Sequence, residues 1–160
     1  MIRHVCRVAA SLVLLFGVTR SRAADATATS DAAPAGYTRV IVAPAKTSIY
    51  LGTVSMTMPS FVRVDGGYEA TYTAKVFPFF FYNEAGRLRV EISDASLRQL
   101  ERGEPIDFKG RAVREDGAER RVEGRATPAD STSGKIKVRV FYSKRIELIF
   151  NTTYRFPDAK

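Results

Sequence analysis

Histidine and cysteine are nearly missing from this 160-residue chain: His4 and Cys6 are its only ones, and both sit at its very start. Beyond them, Ser-His-Asp and Cys-His nucleophilic systems, zinc sites of imidazole or thiolate, and the usual haem and iron–sulfur ligation have nothing to build on. No disulfide can form there either. Tryptophan is absent, so the interior has to draw on phenylalanine and tyrosine, of which the chain has ten and seven, all but Phe16 at or beyond residue 37. There is no glycine-rich phosphate loop and no dinucleotide fingerprint. Asp130 to Ser133 offers too few oxygen ligands for calcium. No cofactor and no metal site are expected. Paired carboxylates remain a route to hydrolysis. The acidic residues, however, fall at turns (Asp65, Glu84, Glu115, Asp116) or beside basic residues on strand faces, where solvated charge is the simpler reading.

Long apolar runs are also lacking. Val8 to Val18 is a short apolar stretch behind Arg3, His4 and Arg7, well below the about 20 residues that cross a bilayer as a helix. With the small residues that follow, residues 1–24 read as a secretory signal peptide, cut after Ala23 or after Ala26. Arg20 and Arg22 leave an uncleaved anchor open. Residues 25–36 contain no large apolar side chain and read as a flexible linker. One domain is then expected over residues 37–160, long enough for a core without staples.

Charge is one-sided. The whole chain carries +8; removing Arg3, Arg7, Arg20 and Arg22 from its 25 basic residues leaves 21 against 17 acidic ones, or +4. The excess lies beyond Arg87, which points to partners and solubility and not to fold.

What is present is mostly β pattern. Tyr37 to Ala43 reads as a strand broken at Pro44. Thr47 to Met58 is a mixed run with a bulge or bend expected at Gly52. Asp65, Gly66 and Gly67 predict a hairpin between Phe61–Val64 and Tyr68–Val76. Val76 to Tyr82 (VFPFFFY) holds Pro78, which predicts an edge, a bulge or a break. Arg87 to Ser93, Pro105 to Arg114 and Lys135 to Tyr142 alternate with period two, and Glu115 to Ala118 makes a turn. Ile146 to Phe156, apolar on both parities, reads as a more deeply buried strand. One short helix is predicted over Ala95–Arg102, capped by Asp94 and ended by Gly103. The pattern predicts an all-β fold: an antiparallel β-sandwich or small β-barrel of about eight short strands with one short helix. A transmembrane barrel fits less well, because several strands fall short of the required length.

Two features suggest contacts. Lys135, Lys137 and Arg139 line one side of a strand and can face an anionic envelope component, or form a solvated face on which Glu91, Glu119 and Glu123 pair with arginines. Phe77, Phe79, Phe80, Phe81 and Tyr82 occupy both faces of one strand. Core packing is the first expectation for them; exposure would make Phe77, Phe79, Phe81 and Tyr82 the wall of an apolar ligand site. A free edge near Pro78 would allow two copies to pair as a homodimer. The sequon at Asn151, inside an expected buried strand, carries no assigned role.

The expectation is an exported, non-enzymatic β-domain of the bacterial cell envelope, periplasmic or surface-bound, acting by binding or assembly. The alternative is a β-barrel carrier of a small apolar or lipid ligand, with the helix as a lid over the aromatic wall. A carboxylate-dependent envelope hydrolase is the third reading. Nucleic acid is not an expected partner of an exported chain, and the mature chain is expected to have no transmembrane domain.

Overall fold

The computed structural model describes residues 36–159; the expected signal peptide, its expected cleavage point and all of the expected linker but Gly36 lie outside the described residues. Ten strands follow in order, with one α-helix. They are β1 (Arg39–Val42), β2 (Ala45–Ile49), β3 (Gly52–Thr57), β4 (Phe61–Val64), β5 (Gly67–Phe77), β6 (Glu84–Glu91), α1 (Asp94–Glu101), β7 (Ile106–Arg114), β8 (Glu119–Pro128), β9 (Ser133–Phe141) and β10 (Glu147–Arg155). All pairings are antiparallel.

Eight of these strands close a barrel. The order is β5-β4-β1-β10-β9-β8-β7-β6, and β6 returns to β5. The seam that decides barrel over sandwich joins the first strand to the last, Ile41 opposite Arg155 and Val42 opposite Tyr154. β2 and β3 form a hairpin laid along the second half of β5, from Thr57 opposite Thr73 to Thr53 opposite Phe77. Register is continuous from the β1–β4 pair to the β2–β3 pair, so the β1–β2 segment and the β3–β4 segment run as two long, interrupted strands. Pro44 marks the first interruption, where a missing amide hydrogen cannot continue a ladder. Beside it the Ala43 amide donates to the Thr153 carbonyl (3.0 Å) and the Thr152 hydroxyl to the Ala43 carbonyl (2.7 Å), keeping the wall attached to β10.

Alternation explains which side chains fill the barrel. On β5, Tyr68, Ala70, Tyr72, Ala74 and Val76 are buried while Thr71, Thr73 and Lys75 are exposed. β10 obeys the same rule: Phe150 and Tyr154 are buried, and Ile149, Asn151 and Thr153 are exposed. The expected deeper burial of that strand is therefore incorrect, since one of its faces meets water; the sequon asparagine lies on that outer face. Glycine makes room where rings crowd the interior. A Cβ on Gly124 would run into the Phe108 ring, and one on Gly134 would meet Tyr154. What remains empty inside is a cavity of about 90 Å³.

Helix α1 plugs one end. Ser93 caps it, its hydroxyl accepting from the Ser96 amide (3.1 Å), so the expected cap at Asp94 is displaced by one residue. Asp94 instead occupies the first turn and pairs with Arg63, which also donates to the Ile92 carbonyl (2.9 Å). Leu97 and Leu100 point into the barrel, and Gly103, at a φ of 82°, ends the helix. Rings seal the same end: Tyr37 and Phe156 (4.4 Å between centroids), Tyr154 and Phe156 (5.6 Å), with Tyr68 beside them. The Tyr68 hydroxyl donates to the Tyr37 carbonyl (2.6 Å), and the Tyr37 hydroxyl to the Ser131 carbonyl. Among the described residues no helix is long and apolar enough to cross a membrane.

Candidate functional site: the open mouth

The other end of the barrel is not plugged. Four connections surround it: the β2–β3 turn at Tyr50–Leu51, the β5–β6 connection with a 3-10 turn at Phe80–Tyr82, the β7–β8 turn at Glu115–Ala118, and the β9–β10 loop at Tyr142–Ile146. Thr47–Met58, expected to hold a bend at Gly52, in fact reverses completely before that glycine. Gly52 is needed for closeness: a Cβ there would collide with the Phe77 carbonyl.

Between three of these connections lies an open groove of about 590 Å³. Its walls are mainly apolar: Ile49, Tyr50, Leu51, Val54 and Met56 from the β2–β3 hairpin, Val76, Phe79 and Tyr82 from the β5 side, and Val140, Tyr142, Ile146 and Leu148 from the last hairpin. Arg145 and Glu147 bring charge to its edge. The volume falls within the range of small-molecule sites, about 300 to 1,000 Å³.

The groove's floor is polar and fully engaged on one side. Glu84, read from the sequence as a solvated turn residue, opens β6 with its side chain turned inward and only 11% exposed. Its Oε2 lies 3.1 Å from Arg114 Nε and 3.9 Å from Arg120, and its Oε1 accepts from the Tyr72 hydroxyl (3.2 Å). Burial first, and then the neighbouring Glu84, raise the Tyr72 hydroxyl above its ordinary pKa. Arg120 also stacks over the Tyr142 ring at 4.5 Å, while its buried Nε has no protein acceptor. Glu84 lines both the groove and the inner cavity, so this network stands between them.

The aromatic wall divides. Phe79 and Tyr82 line the groove, whereas Phe77 and Phe81 stand on the rim outside its lining. Phe77, Phe80, Phe81 and Tyr82 are all more than half exposed, Phe81 at 78%. Core packing is thus the wrong expectation for all of them except the partly buried Phe79. Pro78 follows the end of β5, and the 3-10 turn beyond it packs back against β5. The helix expected as a lid over this wall leaves from the opposite end of β6 and covers other residues. The free edge expected near Pro78 is short: β3 pairs with one side of β5, and on the other the Val76 amide is satisfied by the Asn83 side chain (2.7 Å). Barrel closure removes the rest of that edge.

Lys135, Lys137 and Arg139 are exposed on the outer wall formed by β6 to β9, away from the mouth's apolar lining. Nine basic and four acidic side chains point outward there. Arg139 stands opposite Glu123 and Lys137 opposite Arg125. The expected cross-strand pairing holds only in part: Arg111 reaches Glu119 (3.3 Å) and Arg125 reaches Asp107 (3.1 Å) across strands, but Glu123 pairs with Arg121 of its own strand (3.7 Å). Among the described residues, Lys135, Lys137 and Arg139 make no ion pair within 4 Å. Arg89, Arg111 and Arg121 lie directly opposite one another on adjacent strands, and Arg121 stacks on Phe141 at 3.9 Å. An open pocket of about 540 Å³ runs beside them, lined by Lys109, Arg125, Lys137 and Arg139 with Glu91, Asp107 and Glu123.

Sequence reasoning missed Tyr50, Leu51, Tyr142, Ile146 and Leu148, which belong to the groove. The one available signal was Tyr50-Leu51-Gly52, an apolar pair at the end of an alternating run just before glycine. Among the described residues no group of three His, Cys, Asp or Glu is placed to hold a metal ion. Comparison of the chain with known protein families, with curated proteins and with solved structures finds no match.

Proposed function

We propose that this chain is an exported, non-enzymatic β-barrel domain of the bacterial cell envelope that binds an apolar or amphipathic molecule in its open mouth. The observation that carries the reading is the 590 Å³ apolar groove, which is open while the interior is filled. An interior cavity of about 90 Å³ is too small for a lipid chain; a dry cavity of roughly 150 Å³ is what benzene occupies. A carried molecule therefore sits in the mouth and not in the barrel's centre. Arg145 and Glu147 at the groove's edge supply polar contacts for a head group. Export rests on the apolar segment behind Arg3, His4 and Arg7, and the non-enzymatic assignment on the lack of histidine and cysteine beyond it.

Native mass spectrometry of the gently purified protein, followed by titration with a dansyl-labelled fatty acid, tests this. Expected are a stoichiometric apolar mass lost on denaturation, or saturable uptake of the probe that Leu148→Arg abolishes without unfolding the chain. A bare chain with no saturable uptake overturns the reading.

The arginine row favours a second reading, contact with an anionic envelope component through the β6–β9 wall. Like charges directly opposite one another destabilise a sheet, and a polyanion would relieve that cost. Retention on heparin resin well above about 0.15 M salt, reduced by Arg111→Ser, is the expected result; elution below that concentration removes this reading.

A further inference from the structure

Of the nine large apolar side chains exposed among the described residues, six belong to three of the four connections at the mouth, and a seventh, Phe77, ends β5 beside them. The β2–β3 turn contributes Tyr50 and Leu51, the 3-10 turn Phe80, Phe81 and Tyr82, and the last hairpin Ile146. We infer that this rim docks the barrel, mouth first, onto a bilayer that carries anionic lipid. The inference rests on the groove reading for its purpose, since it names the lipid surface from which an amphipathic molecule would be drawn, but its geometry is independent of that reading.

The residue types fit an interface better than a protein partner's core. Aromatic side chains with a polar tip favour the head-group layer, where the ring is buried and the hydroxyl stays wet. Charge points the same way. Ile49 to Gly52, Phe77 to Asn83 and Tyr142 to Ile146 together contain two cations, Lys144 and Arg145, and no carboxylate. Both cations are exposed beside Ile146, placed to meet anionic head groups while the rings enter. The fourth connection differs: Glu115 and Asp116 are exposed there, and both carboxylates disfavour an anionic surface. The barrel therefore leans onto its three apolar connections and keeps the β7–β8 turn in water. A second copy of the chain is a poorer occupant, because meeting rim to rim would bring four cations together with only the two Glu147 carboxylates at the groove's edge to balance them.

Vesicle flotation tests the inference, with phosphatidylcholine vesicles made with and without phosphatidylglycerol. The protein is expected to float with the phosphatidylglycerol vesicles. Phe80→Ser with Phe81→Ser should weaken that binding at least about tenfold. The same pair should leave the melting temperature and the uptake of dansyl fatty acid unchanged, because neither ring lines the groove. Lys144→Glu should remove the preference for anionic lipid. The inference is overturned by absence of flotation with either vesicle, or by flotation that the Phe80 and Phe81 pair leaves undiminished. It is equally overturned if Arg111→Glu alone abolishes flotation, which assigns the contact to the outer wall, or if the phenylalanine pair abolishes a concentration-dependent dimer instead. Failure of the groove reading shows separately, as absent probe uptake by the unaltered protein whether or not it floats.

Discussion

The two ends of the barrel are built from the same kinds of residue and come out opposite. At the plugged end, Tyr37, Tyr68, Tyr154 and Phe156 pack ring against ring, all buried, with tyrosine hydroxyls tied to backbone carbonyls. At the mouth, Phe77 and Phe80 meet at 5.8 Å and Phe81 and Tyr82 at 4.6 Å, yet these rings remain in solvent. The difference is spacing. Tyr68, Tyr154 and Phe156 stand at inward positions or just past the end of a strand, so one wall delivers them all to the interior. Phe79 to Tyr82 are consecutive and fall in a connection, where no single layer can cover both sides. Aromatic content therefore says little about burial until parity and cover are known.

The largest effect that sharpens this contrast is expected from Leu97→Ala. Leu97 is fully buried in the plug, and its truncation should lower stability by about 2 to 5 kcal/mol in denaturant unfolding. A smaller loss, about 1 to 3 kcal/mol, is expected from Tyr68→Phe, which strands the buried Tyr37 carbonyl.

Alkali should act on the same end. Burial pushes the Tyr68 and Tyr154 hydroxyls up to about 12, from an ordinary value of 10. A raised phenol favours the folded state fully below the unfolded pKa, and that contribution is lost as pH rises through the folded one. Stability should thus fall between about pH 10 and pH 12, and Tyr154→Phe should flatten the fall.

Acid gives the weaker counterpart. The Ser133 hydroxyl first, then the Thr132 amide and hydroxyl, hold the exposed Asp130 carboxyl down at about 2. Its contribution is present above the ordinary carboxylate pKa and disappears as pH falls from about 4 to about 2. Asp130→Ala should narrow the pH dependence over that interval in thermal melts.

The smallest effect belongs to the mouth. Phe81→Ser should change stability by no more than about 0.5 kcal/mol, since the ring is mostly exposed. A loss comparable with that of Leu97→Ala would break the comparison and place the rim within the core.

Much of the body was readable in advance. Period-two alternation located β7 and β9 within two residues and β6 within three, the Asp65-Gly66-Gly67 hairpin placed β4 and β5, the Glu115-Ala118 turn falls where expected, and the short helix ends at Gly103. Of the site, Phe79 and Tyr82 were legible as candidates and Lys135, Lys137 and Arg139 as an outward row. Glu84 was not, because its position in the tetrapeptide Asn83-Glu84-Ala85-Gly86 matches a turn; only the inward parity of β6 and the arrival of Arg114 and Arg120 turn it into a buried partner.

What this sequence determined by itself depends on near neighbours: most strand and turn positions, though not the β2–β3 reversal or the end of β5, the helix, and which side chains share a face, because backbone geometry alternates side chains regardless of context. Closure into a barrel was decided only in three dimensions, by β1 meeting β10 across more than a hundred residues of chain. That same closure settled which rings are covered. A side chain is buried by whatever packs over it, and for the rim of the mouth nothing among the described residues does.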